Sequence, residues 1–281
     1  MDAKRRVPSV DLRGDDGVSV RTWADQAWPE LADLAERGSG EVGLVPVGAT
    51  EQHGPHLPTG TDTLVAVALC DAVSARTGAP VLPAIPVACS YGHGTQLPGT
   101  LSLTPELLAA VVRQYAEWAA ASGLTRVLFV NSHFGNTASL AIATDHLRLF
   151  RPDLQVGSVD WWTADPVVAR EAVADGDDVH AHRAETSLML AIAPELVHLD
   201  RLASADDPDR TVDLVFRYTA PALSTNGVTG RPSEATVELG ELVLTRTVDA
   251  ITAMVERGRA EKPPLGPAPV PPFSPAPYPA H

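Results

Sequence analysis

The chain has 281 residues, 44% of them hydrophobic and 20% charged, enough for one large α/β domain with a sizeable core. Lys and Arg total 21 against 35 Asp and Glu, a formal balance of −14, and no basic stripe interrupts it. That balance speaks against nucleic acid and anionic membrane surfaces as partners. No run approaches the roughly 18 apolar residues of a membrane span, and the charged first residues lack the apolar centre of a signal peptide. Cys70 and Cys89 sit singly in apolar segments, which suits a reducing compartment and an expected cytoplasmic location.

Residues 1–19 read as a weakly ordered arm, and Trp23 to Glu36 as a first helix. Val42 to Val47 is a strand that feeds the loop Glu-Gln-His-Gly-Pro-His-Leu-Pro-Thr-Gly-Thr-Asp, residues 51–62. Pro55 and Pro58 stiffen this loop, and it crowds Glu51, His53, His56 and Asp62 together, as a preorganised metal site would. Asp62 opens an apolar helix that Gly78 ends, and Pro80 to Pro83 is a short strand. A Gly-rich loop, residues 90–100, carries His93 as a candidate substrate contact.

Thr104 as N-cap and Pro105 behind it start a helix whose stripe of Leu107, Leu108, Val111, Val112, Tyr115, Trp118 and Ala119 is expected to face the core. Arg126 to Val130 reads as a buried parallel strand, with Asn131-Ser132-His133-Phe134-Gly135-Asn136 at its carboxyl end. A helix over 137–149 and a strand over 155–159 repeat the pattern. Such alternation predicts a three-layer α/β/α sandwich with a mostly parallel sheet, which binds ligands beyond the carboxyl ends of its strands. Trp161 is a candidate pocket wall, and Asp165-Pro166 caps another short helix. The segment His180-Ala181-His182-Arg183-Ala184-Glu185 leads into a further helix. Residues 201–225 give mixed signals, and Ser233 to Gly258 is a closing helix. The domain spans residues 20–260, and a Pro-rich tail, 261–281, is polyproline-prone.

Glu51, His53, Asp62 and His133 form a set of two carboxylates and two imidazoles that suits zinc, with manganese or iron as alternatives. His180 and Glu185 are candidates for general acid or base, or for an additional metal ligand. Asn131 and Asn136, with backbone amides, are candidates to steady an oxyanion.

Assembled, these motifs resemble the creatininase (creatinine amidohydrolase) family over nearly all of residues 42–258. The carriers are the Glu-Gln-His-Gly-Pro-His-Leu-Pro loop, the Leu-Pro-Gly-Thr turn, Asn-Ser-His-Phe-Gly-Asn, the Glu-Thr-Ser-Leu-Met-Leu helix and Gly227-Val228-Thr229-Gly230. The resemblance implies a divalent metal centre of one or two ions and hydrolysis of a C–N bond in a small amide, cyclic amide, formamide or peptide-like substrate. It also implies a homo-oligomer, often a hexamer. Glu51, Asp62 and His133 would hold one ion, and Asp62 would bridge to a second that takes His53. His180 would match the catalytic histidine. Gly135 stands where creatinine hydrolases have a glutamate, Gly176 where they have a tryptophan, and His182 and Ser132 where the family has glycines. These departures speak against creatinine itself, and favour deformylase-like or peptide-processing chemistry or an unassigned amide. The rival readings are a metal-binding scaffold without catalysis and a metal-dependent isomerase or lyase.

Overall fold

Two aliphatic runs make the middle of a parallel sheet. In the computed structural model, which describes residues 20–36, 40–176, 178–266 and 269, strand β2 (Val42–Val47) pairs in register with β4 (Arg126–Asn131). Beyond β4 lies β5 (Gln155–Asp160); on the other side lie β3 (Pro80–Val81) and β1 (Arg21–Thr22). The five strands run parallel in the order β1-β3-β2-β4-β5. Every residue of β2 is buried, as expected of a strand covered on both faces. Pro46 lies on the β3 side of this central strand, where its carbonyl accepts from Ile85 N–H at 2.9 Å beyond the end of β3.

Helices cover both faces, giving the expected three layers. On one face α2 (Thr61–Thr77), α6 (Arg183–Ile192) and α9 (Val237–Ala260) bury Leu69, Leu188, Leu244 and Ile251 over Leu44 and Val130. On the other, α3 (Pro105–Ala121) and α4 (Thr137–Phe150) bury Leu108, Val112, Leu140 and Leu147 over Val45 and Phe129. The short α5 (Pro166–Ala172) completes the first layer, its cap Asp165 accepting from Val167 N–H at 2.7 Å. Thr104 caps α3 as expected, accepting from Leu107 N–H at 3.2 Å.

Several expectations need correction. Residues 23–36 are not one helix: a 3-10 turn over Trp23–Asp25 precedes α1 (Trp28–Glu36). Pro29 has no N–H to give and sits in the first turn of α1, where that donor would have no partner within the helix. In α3 the buried stripe is Leu108, Val112, Ala116 and Ala119, whereas Leu107 and Trp118 lie one position round the helix and are exposed. The closing helix starts at Val237, not at Ser233. Thr236 caps it through Leu239 N–H at 3.1 Å, while the Ser233 hydroxyl donates to Asp206 at 2.6 Å. Residues 199–223 hold two single turns, α7 (Leu199–Leu202) and α8 (Ala220–Leu223). Around them Asp207 accepts from Ser224 Oγ at 2.9 Å and Thr225 N at 2.6 Å. The expected N-terminal arm and most of the Pro-rich tail lie outside the described residues. Among the described residues no helix is long and apolar enough to cross a membrane.

Two contacts tie the first layer together. A Cβ on Gly240 in α9 would lie 1.9 Å from the Ser187 carbonyl oxygen, so α9 crosses α6 backbone against backbone. His56, within the Glu51 loop, is fully buried, its Nε2 2.9 Å from Thr186 Oγ1 on α6, and its carbonyl accepts from His198 N–H at 2.9 Å. Burial, and then the charge of neighbouring His53, push His56 down from 6.5 to about 4. Gly240→Ala should therefore lower stability in urea unfolding by ~3 kcal/mol, the scale of an overpacked core. Below pH 6.5 the unfolded chain gains a proton at residue 56 that the folded chain refuses until about 4. Stability should fall as pH drops through that window, and unfolding curves of His56→Gln should lack up to ~3 kcal/mol of the loss.

Candidate metal centre

β2 and β4 end side by side, Val47 opposite Asn131, and both polar loops leave from this carboxyl edge of the sheet. The first loop folds back on itself: Glu51 N–H donates to Thr59 O at 2.9 Å and Thr61 Oγ1 to Pro58 O at 2.7 Å. That fold returns Asp62, in the first turn of α2, to the side of Glu51 and His53. His133 is set by Asn131, whose Oδ1 accepts from His133 N–H at 3.1 Å and whose Nδ2 donates to His133 O at 3.0 Å. His180 arrives from a distant segment through a two-bond antiparallel bridge to Thr229. Ala181 follows it in the left-handed region at φ 50°, a strained conformation for a residue with a Cβ, between His180 and His182.

The side chains meet in a buried cluster. His53 Nε2 lies 3.4 Å from Asp62 Oδ1, His133 Nε2 3.2 Å from Glu51 Oε2, and His133 Nδ1 3.5 Å from Asp62 Oδ2. His93 Nε2 is 3.0 Å and His180 Nδ1 3.7 Å from Glu51 Oε1. Backbone and amide partners assign the ring nitrogens. His133 Nε2–H donates to Cys89 O at 2.8 Å and His180 Nε2–H to Gln52 O at 2.7 Å, which leaves Nδ1 of each on the carboxylate side. Gln52 Oε1 accepts from Gly54 N–H at 3.0 Å, so its Nε2 donates to Gly227 O and to His93 Nδ1, both at 3.0 Å. His93 therefore turns an N–H, not a lone pair, toward Glu51.

Both Glu51 oxygens, Asp62 Oδ2 and His53 Nε2 are buried and complete no well-formed hydrogen bond. Buried charges without such partners call for a cation. The trio Glu51, His53 and Asp62 offers ligand atoms within 4.8 Å of one another. Carboxylate oxygens and imidazole nitrogens together fit a divalent ion of the zinc or manganese kind.

The protonation pattern follows from the same crowding. Burial opposes the charge of Glu51, but His133 and His93 hold it well below the usual carboxylate range. Burial works against protonating His53 and His133 too. Asp62 nonetheless lifts His53 to about 10, and Glu51 lifts His133 to about 9. Asp62 rises to about 6 through burial and the Glu51 charge, against the pull of His53. His180, by contrast, is pushed well down by burial and by the charges of His53 and His93. Protons on His53 and His133 are thus the counter-charges that a divalent cation would replace, while His180 stays neutral.

Of the residues expected at the site, the structure brings Glu51, His53, Asp62, His133, His93, His180 and Glu185 together. It does not place Asn131 and Asn136 as oxyanion donors. Asn131 Nδ2 is spent on His133 O and Asp160, and Asn136 Nδ2 on Gly48 O and Asn131 Oδ1. Both asparagines are fully buried scaffolding. Trp161 is no pocket wall: it is buried in the core, edge-on to Trp162, which stacks on Phe134. Two contributors escaped the sequence reading, the Cys89 carbonyl and the Gln52 side chain. A backbone carbonyl leaves no residue signature, and Gln52 reads as polar loop filler until Gly227 is seen across from it.

A family model described as Creatininase, creatinine amidohydrolase, matches residues 24–255. The chain is 32% identical over 263 residues to the mycofactocin precursor peptide peptidase of Mycobacterium ulcerans (strain Agy99), covering 90% of this chain and 94% of that one. It is 33% identical over 242 residues to the creatinine amidohydrolase of Pseudomonas putida, covering 79% and 90%. A crystal structure of creatinine amidohydrolase superposes with a TM-score of 0.77 at 30% identity, covering 87% of this chain and 99% of that one. With the loops and the buried carboxylate–imidazole cluster in the same chain, the conclusion is direct: this protein belongs to the creatininase family of amidohydrolases.

Proposed function

We propose that the chain hydrolyses a C–N bond of an amide, using a divalent cation held by Glu51, His53, Asp62 and His133. The observation that supports this best is the pair of buried, hydrogen-bond-orphaned Glu51 oxygens facing His53, Asp62 and His133. Solved relatives include a manganese creatininase and a Zn-Zn type mutant creatininase, so either ion suits the comparison. When bound, such an ion lowers the pKa of a water from ~15.7 to about 7 and polarises the amide carbonyl.

The protein's own groups do the rest. His180 and His93 have side chains 15% and 10% exposed, whereas Glu51 and His53 have none, so the substrate reaches the centre past these two rings. His180 is neutral, with Nδ1 free to accept a proton and pass it to the departing amide nitrogen. The Gln52 carbonyl holds that tautomer. Glu185 has an oxygen within 4.8 Å of ring nitrogens of His53 and His180 and keeps the neighbourhood anionic, which favours a protonated His180 as the bond breaks. The His93 N–H, held by Gln52, faces Glu51 at the entrance, where it can orient a carbonyl oxygen.

The substrate class spans small amides and peptides, because the relatives are named for both creatinine and a precursor peptide. A small substrate, a cytoplasmic location and a homo-oligomer complete the reading. The test is the metal-loaded protein with formamides, cyclic amides and short peptides in ¹⁸O-water. Hydrolysis adds one labelled oxygen to a product; product formation without label would indicate an isomerase or lyase. Bound metal with no turnover across the panel would indicate a scaffold.

Two substitutions separate the roles. His133→Ala should lose an ion by elemental analysis and ~10³-fold in kcat/KM, the scale of several kcal/mol. Full metal content in that variant would remove His133 from the ligand set. His180→Gln should keep its metal and lose ~10²–10⁴-fold in kcat. Near-normal turnover there would move the proton role to another residue.

A further inference from the structure

The turn that carries His180 is held by a carboxylate outside the metal centre. His180 and Thr229 exchange two backbone hydrogen bonds, at 3.0 and 2.8 Å. Their pairing stops after this one bridge. Ala181 turns left-handed at φ 50°, and Gly230 bonds instead to Asp207 through both of its backbone groups. Beyond the gap, Arg183 N–H and Arg231 N–H both donate to one oxygen, Oδ2 of Asp175, at 3.0 and 2.8 Å. The packing there is close: a Cβ on Gly230 would fall 2.6 Å from His182 Cβ and 2.8 Å from Asp175 Oδ2.

The same oxygen also caps a helix. His182 stands at the N-cap of α6 and its side chain makes no capping bond. Arg183 N–H, the first donor of α6, has no partner to find inside the helix. Asp175 accepts it from three residues beyond the end of α5, and places a negative charge at the positive end of α6. Its side chain has no exposed surface, and its second oxygen lies 3.5 Å from Arg183 Nε. A buried carboxylate is costly unless it is paired and hydrogen-bonded. Here its partners lie on both segments that meet at His180.

We propose that Asp175 is the positioning residue for His180. Its carboxylate replaces the backbone rung that the turn at Ala181 removes, and so keeps the His180 ring beside Glu51 with Nε2–H on the Gln52 carbonyl. The proposal rests on the reading of His180 as the proton carrier. A left-handed residue with a Cβ persists only where its surroundings hold it. Thr229 holds Ala181 on one side and Asp175 on the other. Without the carboxylate the turn relaxes and carries the ring away from Glu51. Both hydrogen bonds of Asp175 go to backbone N–H groups outside the metal centre, so metal content does not depend on it.

The test compares the full-length, Zn²⁺-loaded wild type with Asp175→Asn and Asp175→Ala. The Asn carbonyl can still accept both N–H groups, whereas Ala accepts neither. In ¹⁵N-histidine-labelled protein, a ring N–H held on a carbonyl gives a low-field, slowly exchanging proton signal, and His180→Gln identifies the one from His180. That signal should persist in Asp175→Asn and vanish in Asp175→Ala, while the His133 signal, from the bond to Cys89 O, stays in both. On whichever formamide, cyclic amide or short peptide the wild type hydrolyses, Asp175→Ala should lose ~10–100-fold in kcat with KM and zinc content unchanged, the scale of a small misplacement. Asp175→Asn should restore most of that loss. A His180 signal that survives in folded Asp175→Ala, or is missing from the wild type, would overturn the proposal, as would equal losses of kcat in the two variants. Should circular dichroism show Asp175→Ala unfolded, Asp175→Ser, with a shorter reach, replaces it; failure of that variant to fold as well would make Asp175 a residue of the fold alone and overturn the proposal. Normal turnover in His180→Gln, or none in the wild type, would instead defeat the reading on which the proposal rests, and the ring signals would still decide what Asp175 holds.

Discussion

A carboxylate with no route to water is the constraint from which this molecule is best understood. Glu51 is fully buried, and neither of its oxygens completes a hydrogen bond. Taking such a charge out of water costs several kcal/mol even after relaxation. Only positive charge close by makes that tenable; His133, raised by Glu51 itself, supplies it from 3.2 Å, and the rings of His93 and His180 close the site on the other side. The backbone organisation serves this meeting. Two neighbouring parallel strands deliver Glu51 and His133 to one sheet edge, the returning loop delivers Asp62, and the bridge to Thr229 delivers His180.

Much of the fold was legible because its signals are local. The aliphatic run Val42 to Val47 reads as a covered strand from its own composition, and Thr104-Pro105 and Asp165-Pro166 announce helix starts with cap chemistry that the structure reproduces. What was not legible depends on partners far away in sequence. Ser233 looks like a cap, but Asp206 takes its hydroxyl, and Thr236 inherits the role. Trp118 belongs to an apolar run, yet the stripe one position away fills the core and leaves the indole outside. Periodicity constrains which residues can share a face, and packing decides which face is buried.

The site shows the same division. Glu51, His53, Asp62, His133 and His180 could be named because carboxylates and imidazoles crowd into short stretches just beyond strands. Asn131 and Asn136 looked like oxyanion donors for the same reason, being polar and placed beside His133. Their amides instead satisfy the carbonyls and N–H groups of the loop itself, a need that sequence does not display. Residue type therefore located the chemistry, and the hydrogen-bond accounting separated the side chains that face the cavity from those that hold its wall.

Gln52 gives that accounting a mechanical side. Its amide grips Gly54 and Gly227 from opposite ends and also fixes His93, while its own carbonyl fixes His180. One residue is thus the common mount for both rings at the entrance and for the strand-like segment that returns past them. A shift of the Gly227 segment would therefore free the Gln52 amide on one side and with it loosen the His93 ring, while His180 stays anchored to the backbone of the loop.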